Sequence, residues 1–81
     1  MTPNELLQKI GSVDPGNDKD FHEIVSGMLS LGLVSERDLA HEFGASLSTV
    51  ERWKTGQNWP HPKLRPPIYR YLWKVLQKNK R

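Results

Sequence analysis

The sequence contains no cysteine, which excludes disulfides, thiolate metal ligands and cysteine nucleophiles. It also lacks a long apolar run: the longest stretch without a charged residue, from Ile24 to Ser35, includes three serines and two glycines. A membrane span needs roughly 20 predominantly apolar residues, so we expect no membrane association. No basic region leads into an apolar run at the start of the chain, and we therefore expect a cytoplasmic protein without a secretory signal.

Acidic residues are absent from the last part of the chain. All nine acids lie between Glu5 and Glu51, where three basic residues oppose them and leave a net charge of −6. The segment from Arg52 to Arg81 holds nine basic residues and no acid, so the overall charge of +3 includes a segment of +9. The positive electrostatic field of such a segment attracts phosphate backbones or acidic surfaces. A solvated basic tail is the alternative interpretation.

Apolar residues recur at helical spacing in segments along the chain, and no segment shows the alternation of apolar and polar residues typical of a β-strand. A first helix, opened by a capping box of Thr2 and Glu5, and a loose, turn-rich linker occupy residues 1–19. Residues 20–81 form the remaining domain, which ends in a basic helix. The predicted core stripes are Phe21, Ile24, Val25, Met28 and Leu29 in the second helix, and Ile68, Leu72, Val75 and Leu76 in the last. The sequence predicts a small all-α bundle of four to five helices.

The middle of the chain has the spacing of two short helices joined by a tight turn, a helix-turn-helix. Ala40 is small where the second helix crosses the first. Gly44 follows four residues later, where the turn needs a positive φ that glycine adopts at little cost. Val50 and Trp53 lie one helical turn apart on the side of the second helix that packs against the first.

The pattern Leu39-Ala40-x3-Gly44-x5-Val50-x2-Trp53-x2-Gly56-x3-Pro60 resembles the phage-repressor and Cro-type helix-turn-helix regulators, also called the XRE family. The resemblance covers roughly a third of the chain, from Leu33 to Pro60. It implies a lambda-repressor-like bundle that binds specific sequences in double-stranded DNA, commonly as a homodimer on a pseudo-palindromic operator. It further implies a nucleoid-associated transcriptional regulator of bacterial or phage origin that acts by occupying its operator.

The second helix of this motif is the candidate recognition helix, and we expect its outward residues to read bases in the major groove. Arg52 is the strongest candidate because its guanidinium can bind O6 and N7 of guanine, with a phosphate contact as the alternative. Ser48 and Glu51 also have capping-box spacing, and we favour capping for that pair. Leu47 departs from the polar residue that is usual in the family. The predicted base-reading residues are Leu47, Ser48, Glu51, Arg52 and Thr55.

Basic residues in and after the recognition helix are candidates for phosphate contacts. Arg70, Lys74 and Lys78 recur at every fourth position and place one basic stripe on the last helix. A solvated helix face is the alternative interpretation of this stripe. The predicted phosphate contacts are Thr49, Lys54, Lys63, Arg65, Arg70, Lys74 and Lys78.

No pattern in the sequence indicates an enzyme. His22, His41 and His61 lack metal-binding spacing, and neither a Gly-rich phosphate loop nor a nucleophile elbow is present. We expect no metal, no cofactor and no small-molecule substrate. Two alternatives to duplex-DNA binding stay open. Leu47 and the acidic first half favour a protein-interaction module of the same fold, such as a phage adaptor or an antitoxin-like partner. The basic, aromatic last helix favours RNA or single-strand binding.

Overall fold

Five α-helices and one short 3-10 turn make up the part of the chain that the computed structural model describes, residues 2–79. Lys80 and Arg81, two of the nine basic residues in the C-terminal segment, lie outside this range. The helices are α1 (Pro3–Gly11), α2 (Asp18–Ser30), α3 (Glu36–Phe43), α4 (Leu47–Thr55) and α5 (Arg65–Asn79), with the 3-10 turn at Pro62–Leu64. The described residues include no strand, so the predicted all-α architecture is confirmed. None of these helices has the length and apolar character needed to cross a membrane.

Capping boxes, in which two side chains and two backbone N–H groups pair reciprocally, open two of the helices. Thr2 and Glu5 form the predicted capping box of α1, and Ser35 and Asp38 form a second one at α3. In each, the hydroxyl accepts from a backbone N–H of the first turn, while the carboxylate accepts from the N–H of the capping residue. Two donors without intrahelical partners are thus satisfied, and such a cap contributes about 1 kcal/mol.

One hydrophobic core joins all five helices. Its completely buried side chains come from every helix and include Leu6, Phe21, Ile24, Met28, Leu39, Val50 and Leu72. The rings of Phe21 and Trp53 meet edge to face with their centroids 5.8 Å apart, a favourable aromatic geometry. Leu6 from α1 and Phe21 from α2 both belong to this core, so residues before and after position 19 share it.

Arg65 is buried, with only 2% of its surface exposed. Its guanidinium donates to the carbonyls of Pro60 at 3.1 Å and Pro15 at 2.9 Å, and to the carboxylate of Asp18. It also lies 5.5 Å from the centre of the Phe21 ring, a cation–π contact. The prediction that Arg65 contacts phosphate is wrong, because partners inside the protein occupy its donors and shield it from solvent. Arg65 instead fixes the segment between α1 and α2 to the start of α5.

A three-residue connection, Gly44 to Ser46, joins α3 to α4. Gly44 has φ +63°, the left-handed conformation predicted for it. The backbone N–H groups of Gly44 and Ala45 both donate to the carbonyl of Ala40, which closes the end of α3. Val50 and Trp53 are buried on the inner side of α4, so this helix has one face in the core and one toward solvent.

The C-terminal end of α4 is held by α2. The carbonyl of Lys54 accepts hydrogen bonds from His22 Nε2 at 2.9 Å and from Ser26 Oγ at 3.1 Å. The last carbonyls of a helix have no partner within it, so α2 satisfies an otherwise free acceptor. Gly56 turns the chain here with φ +79°, and a Cβ at this position would meet His22 Nε2 at 3.4 Å. The orientation of α4 is therefore fixed at both of its ends.

Candidate nucleic-acid interface

The solvent-facing side of α4 carries all five residues predicted to read bases. Leu47, Ser48, Glu51, Arg52 and Thr55 are exposed and follow one another at helical spacing. Leu47 has 48% of its surface exposed, so this leucine is available to a partner and does not pack into the core. The structure thus brings the predicted set together on one helix face.

Ser46, and not Ser48, caps α4. Its Oγ accepts from the backbone N–H of Thr49 at 3.1 Å and lies 2.9 Å from Thr49 Oγ1. Ser48 is the second residue of the helix, where the backbone is already helical, so the predicted capping pair of Ser48 and Glu51 is wrong. The hydroxyl of Ser48 remains exposed for a ligand. The half-buried Thr49, predicted to contact phosphate, has its hydroxyl in this cap.

Arg52 and Thr55 differ in the freedom of their polar atoms. The guanidinium of Arg52 is exposed and makes no ion pair or hydrogen bond to any residue between 2 and 79. The hydroxyl of Thr55 lies 3.2 Å from the carbonyl of Glu51 and 3.4 Å from that of Arg52. Threonine commonly makes such bonds to the preceding helical turn. Arg52 is thus the free multivalent donor on this face.

Glu51 belongs to a charged cluster with Glu36 and Lys54. Hydrogen bonding to Glu36 raises the pKa of Glu51 above its ordinary value, and the negative charge of Glu36 acts in the same direction. The same bonding lowers the pKa of Glu36, assisted by Lys54, whose Nζ lies 3.5 Å from a Glu36 carboxylate oxygen. Lys54, a predicted phosphate contact, is therefore already engaged. Sequence reasoning missed Glu36 because α3 and α4 meet only in the folded chain.

The other predicted phosphate contacts lie on α5 and just before it. Lys63, Arg70, Lys74 and Lys78 are exposed and form no ion pair with any described residue. Arg70 and Lys74 border a shallow depression of about 270 Å³ together with Glu42 at the end of α3. The basic stripe of α5 therefore begins beside the connection that leads into α4.

An apolar cleft of about 360 Å³ lies between the first turn of α4 and the start of α5. Ala45 and Thr49 line one side, and Leu64 and Pro67 line the other. Trp59 also lines the cleft, and its Nε1 is buried without a hydrogen-bond partner among the described residues. Its walls come from separate segments of the chain, so no local sequence pattern indicates it.

Comparisons with known proteins identify no relative of this chain. No protein-family model, curated protein or solved structure significantly matches the chain. Within residues 2–79, no group of three or more histidine, aspartate or glutamate side chains is arranged to hold a metal ion. Three surfaces are available to a partner: the exposed face of α4, the basic stripe of α5 and the cleft between the starts of these two helices.

Proposed function

We propose that α3 and α4 form a helix-turn-helix and that the protein binds double-stranded DNA sequence-specifically. The observation that carries this proposal is the division of α4 into two faces. Val50 and Trp53 hold the helix to the core, while Ser48 and Arg52 face solvent with free donors. An α-helix presented in this way fits the major groove of B-DNA, with the preceding helix crossing the backbone.

The residues on the outer face of α4 then have distinct roles. Arg52 would donate both arms of its guanidinium to O6 and N7 of a guanine. Ser48 lies in the first turn, which approaches the bases most closely in this docking mode. Leu47 offers only apolar contact, for which the methyl group of thymine is the matching base feature. Glu51 would accept from N4 of cytosine or orient Arg52, with its acidity tied to Glu36.

Affinity would come from the cations that flank this face. Lys63, Arg70, Lys74 and Lys78 are exposed and unpaired within the described chain. Each phosphate that such a residue neutralises releases condensed counterions, which makes binding strongly dependent on salt. These contacts orient the protein on the duplex without selecting a sequence, whereas α4 supplies the sequence choice.

We also propose a homodimer that regulates transcription by occupying its operator. One small DNA-binding unit buries only about 600–1,000 Å² on a duplex, and two units on adjacent half-sites double the contacts. The half-sites would lie one helical turn apart, about 34–36 Å, in a palindromic arrangement. Trp73, a large side chain exposed on α5, is a candidate dimer contact.

Selection of duplexes from a random pool, at about 0.05 and 0.2 M salt, tests the proposal. We expect an enriched palindrome whose half-sites contain guanine, bound by two copies of the chain. Salt-sensitive binding without enrichment would contradict sequence specificity. The absence of binding at the lower salt concentration would contradict duplex binding altogether.

A protein-interaction module is the second candidate, favoured by an exposed leucine that lies beside an acidic pair. Leu47 is an exposed apolar residue, and the acidic pair of Glu36 and Glu51 lies on the same side of the α3–α4 unit. Carboxylates repel phosphates, whereas an apolar residue beside charges is common at protein interfaces. Failure of all duplexes to bind at low salt would support this candidate.

A further inference from the structure

The cleft between α4 and α5 is not used by the proposed DNA contacts, and it has the properties of a ligand site. Its volume of about 360 Å³ lies within the range of about 300–1,000 Å³ typical for small-molecule pockets. Phe43, Ala45, Pro67 and Ile68 give it apolar walls. Leu64 stands at its edge with 59% of its surface exposed, so water covers an apolar side chain that a ligand could cover instead.

Trp59 contributes an aromatic wall to this cleft. Its Nε1–H is buried and has no acceptor among residues 2–79. A buried donor without a partner is unfavourable, and most such groups in folded proteins are paired. Because this atom is buried, an oxygen atom in the cleft cannot reach it, and Trp59 contributes its indole ring as an apolar wall.

The charges around the cleft favour an anion. No acidic side chain lines the cleft itself. The adjoining depression shares Phe43 and Pro67 with it and carries Arg70 and Lys74, opposed by Glu42 alone. A ligand that extends from the cleft toward this depression therefore meets a net positive charge.

We propose that the cleft binds a small aromatic acid. The ring system packs against Leu64 and Trp59, and the acid group lies toward Arg70 and Lys74. Apolar contacts supply the affinity and the polar groups supply the orientation. This site is tested without DNA, so its outcome is independent of the proposed function.

Titration of the uniformly ¹⁵N-labelled protein with 6-methoxy-2-naphthoate, followed through the tryptophan indole signals, tests the site. The signal of Trp59 is assigned by its loss in Trp59→Phe. We expect saturable shifts of this signal and of that of Trp53, which also lines the cleft, with a smaller change for Trp73. The neutral analogue, 6-methoxy-2-naphthylmethanol, should bind roughly two- to fivefold more weakly because it lacks the charge. No saturable shift, or equal affinity for the two compounds, would overturn the proposal.

Two matched leucine variants locate the binding site. Leu64→Ser removes an apolar wall at an exposed position, so the fold should persist, and it should weaken naphthoate binding roughly tenfold. Leu31→Ser changes another exposed leucine that does not line the cleft, and it should leave binding unchanged. Equal effects of the two variants would place the compound elsewhere. A Trp59 shift that follows protein dilution without the compound would assign the cleft to a second copy of the chain and overturn the proposal.

Discussion

The outer face of α4 and the start of α5 each carry an arginine from the acid-free segment that begins at Arg52, but the two arginines have opposite environments. Arg52 on α4 is exposed and has no partner among the described residues. Arg65 at the start of α5 is enclosed by the carbonyls of Pro15 and Pro60 and by Asp18. The density of charge along a sequence therefore does not reveal which cations reach solvent. Partners contributed by distant segments decide it.

The largest effect should come from removing the buried arginine. We expect Arg65→Met to lower the free energy of unfolding by about 2–4 kcal/mol, because two carbonyls and a carboxylate lose their donor. Urea unfolding followed by circular dichroism measures this loss. Asp18→Asn is the matched control and should cost about 1 kcal/mol, since the Asp18 side chain is 53% exposed. A variant at Arg65 as stable as the wild type would show that the buried contacts contribute nothing net.

The exposed arginine should affect binding and leave stability unchanged. We expect Arg52→Ala to cost about 1–3 kcal/mol on the selected duplex and to relax the preference at one base position. Its unfolding free energy should stay within about 0.5 kcal/mol of the wild type. Fluorescence anisotropy with matched and mismatched duplexes measures the binding, and the exposed Lys19→Ala is the control for loss of charge. Equal losses on unrelated duplexes would contradict base reading by Arg52.

The basic stripe of α5 should affect all duplexes alike. We expect the double variant Lys74→Gln, Lys78→Gln to weaken binding to every sequence and to reduce the steepness of the salt dependence by about one unit per lost contact. Binding measured across a series of salt concentrations gives this slope. An unchanged slope would mean that the stripe is a solvated helix face.

The smallest effect concerns the acidity of Glu51. We expect Glu36→Ala to lower the pKa of Glu51 toward its ordinary value, because it removes both the hydrogen bond and the repulsion that raise it. Side-chain carboxyl signals followed by NMR through a pH titration measure the change. Glu42→Ala, an exposed glutamate on the same helix, is the control. An unchanged pKa in the Glu36 variant would contradict the pairing.

The direction of the pH dependence follows from the same pair. The raised pKa of Glu51 means that the folded protein holds this proton more tightly than the unfolded chain does. That contribution favours folding at low pH and is lost as the pH rises through the folded pKa. The lowered pKa of Glu36 acts oppositely: its contribution is present above the unfolded pKa and is lost as the pH falls. The two carboxyls therefore contribute pH dependences of opposite sign to stability.

Features that depend on neighbouring residues were predictable from the sequence. The capping boxes at Thr2 and Ser35 each require two residues three positions apart, so their pattern is local. The positive φ of Gly44 was predictable because few other residues adopt it at low cost. Even so, the first turn of α4 was misassigned. Ser46 and Ser48 both precede a helical stretch, and only the backbone shows which of them lies outside the helix.

Features that depend on distant residues were not predictable. The partners of Arg65 include Pro15, 50 residues earlier in the chain, and no periodicity connects the two. The pairing of Glu36 with Glu51 and the cleft beside Trp59 likewise arise only when separate segments pack together. Helix propensity and spacing therefore define the elements, whereas tertiary packing defines which surface each charged side chain reaches.

The tie between Arg65 and the α1–α2 connection also bears on how the chain folds during synthesis. The core requires Ile68, Tyr69, Leu72 and Leu76 from α5, and the contacts of Arg65 span 47 and 50 residues. Contacts of such long range form late because much of the chain must first be brought together. A nascent chain that has not yet released α5 from the ribosome leaves Phe21 of α2 without its ring contact to Tyr69. Productive folding therefore awaits the emergence of α5, and a ribosome stalled before that helix would present a substrate for chaperones.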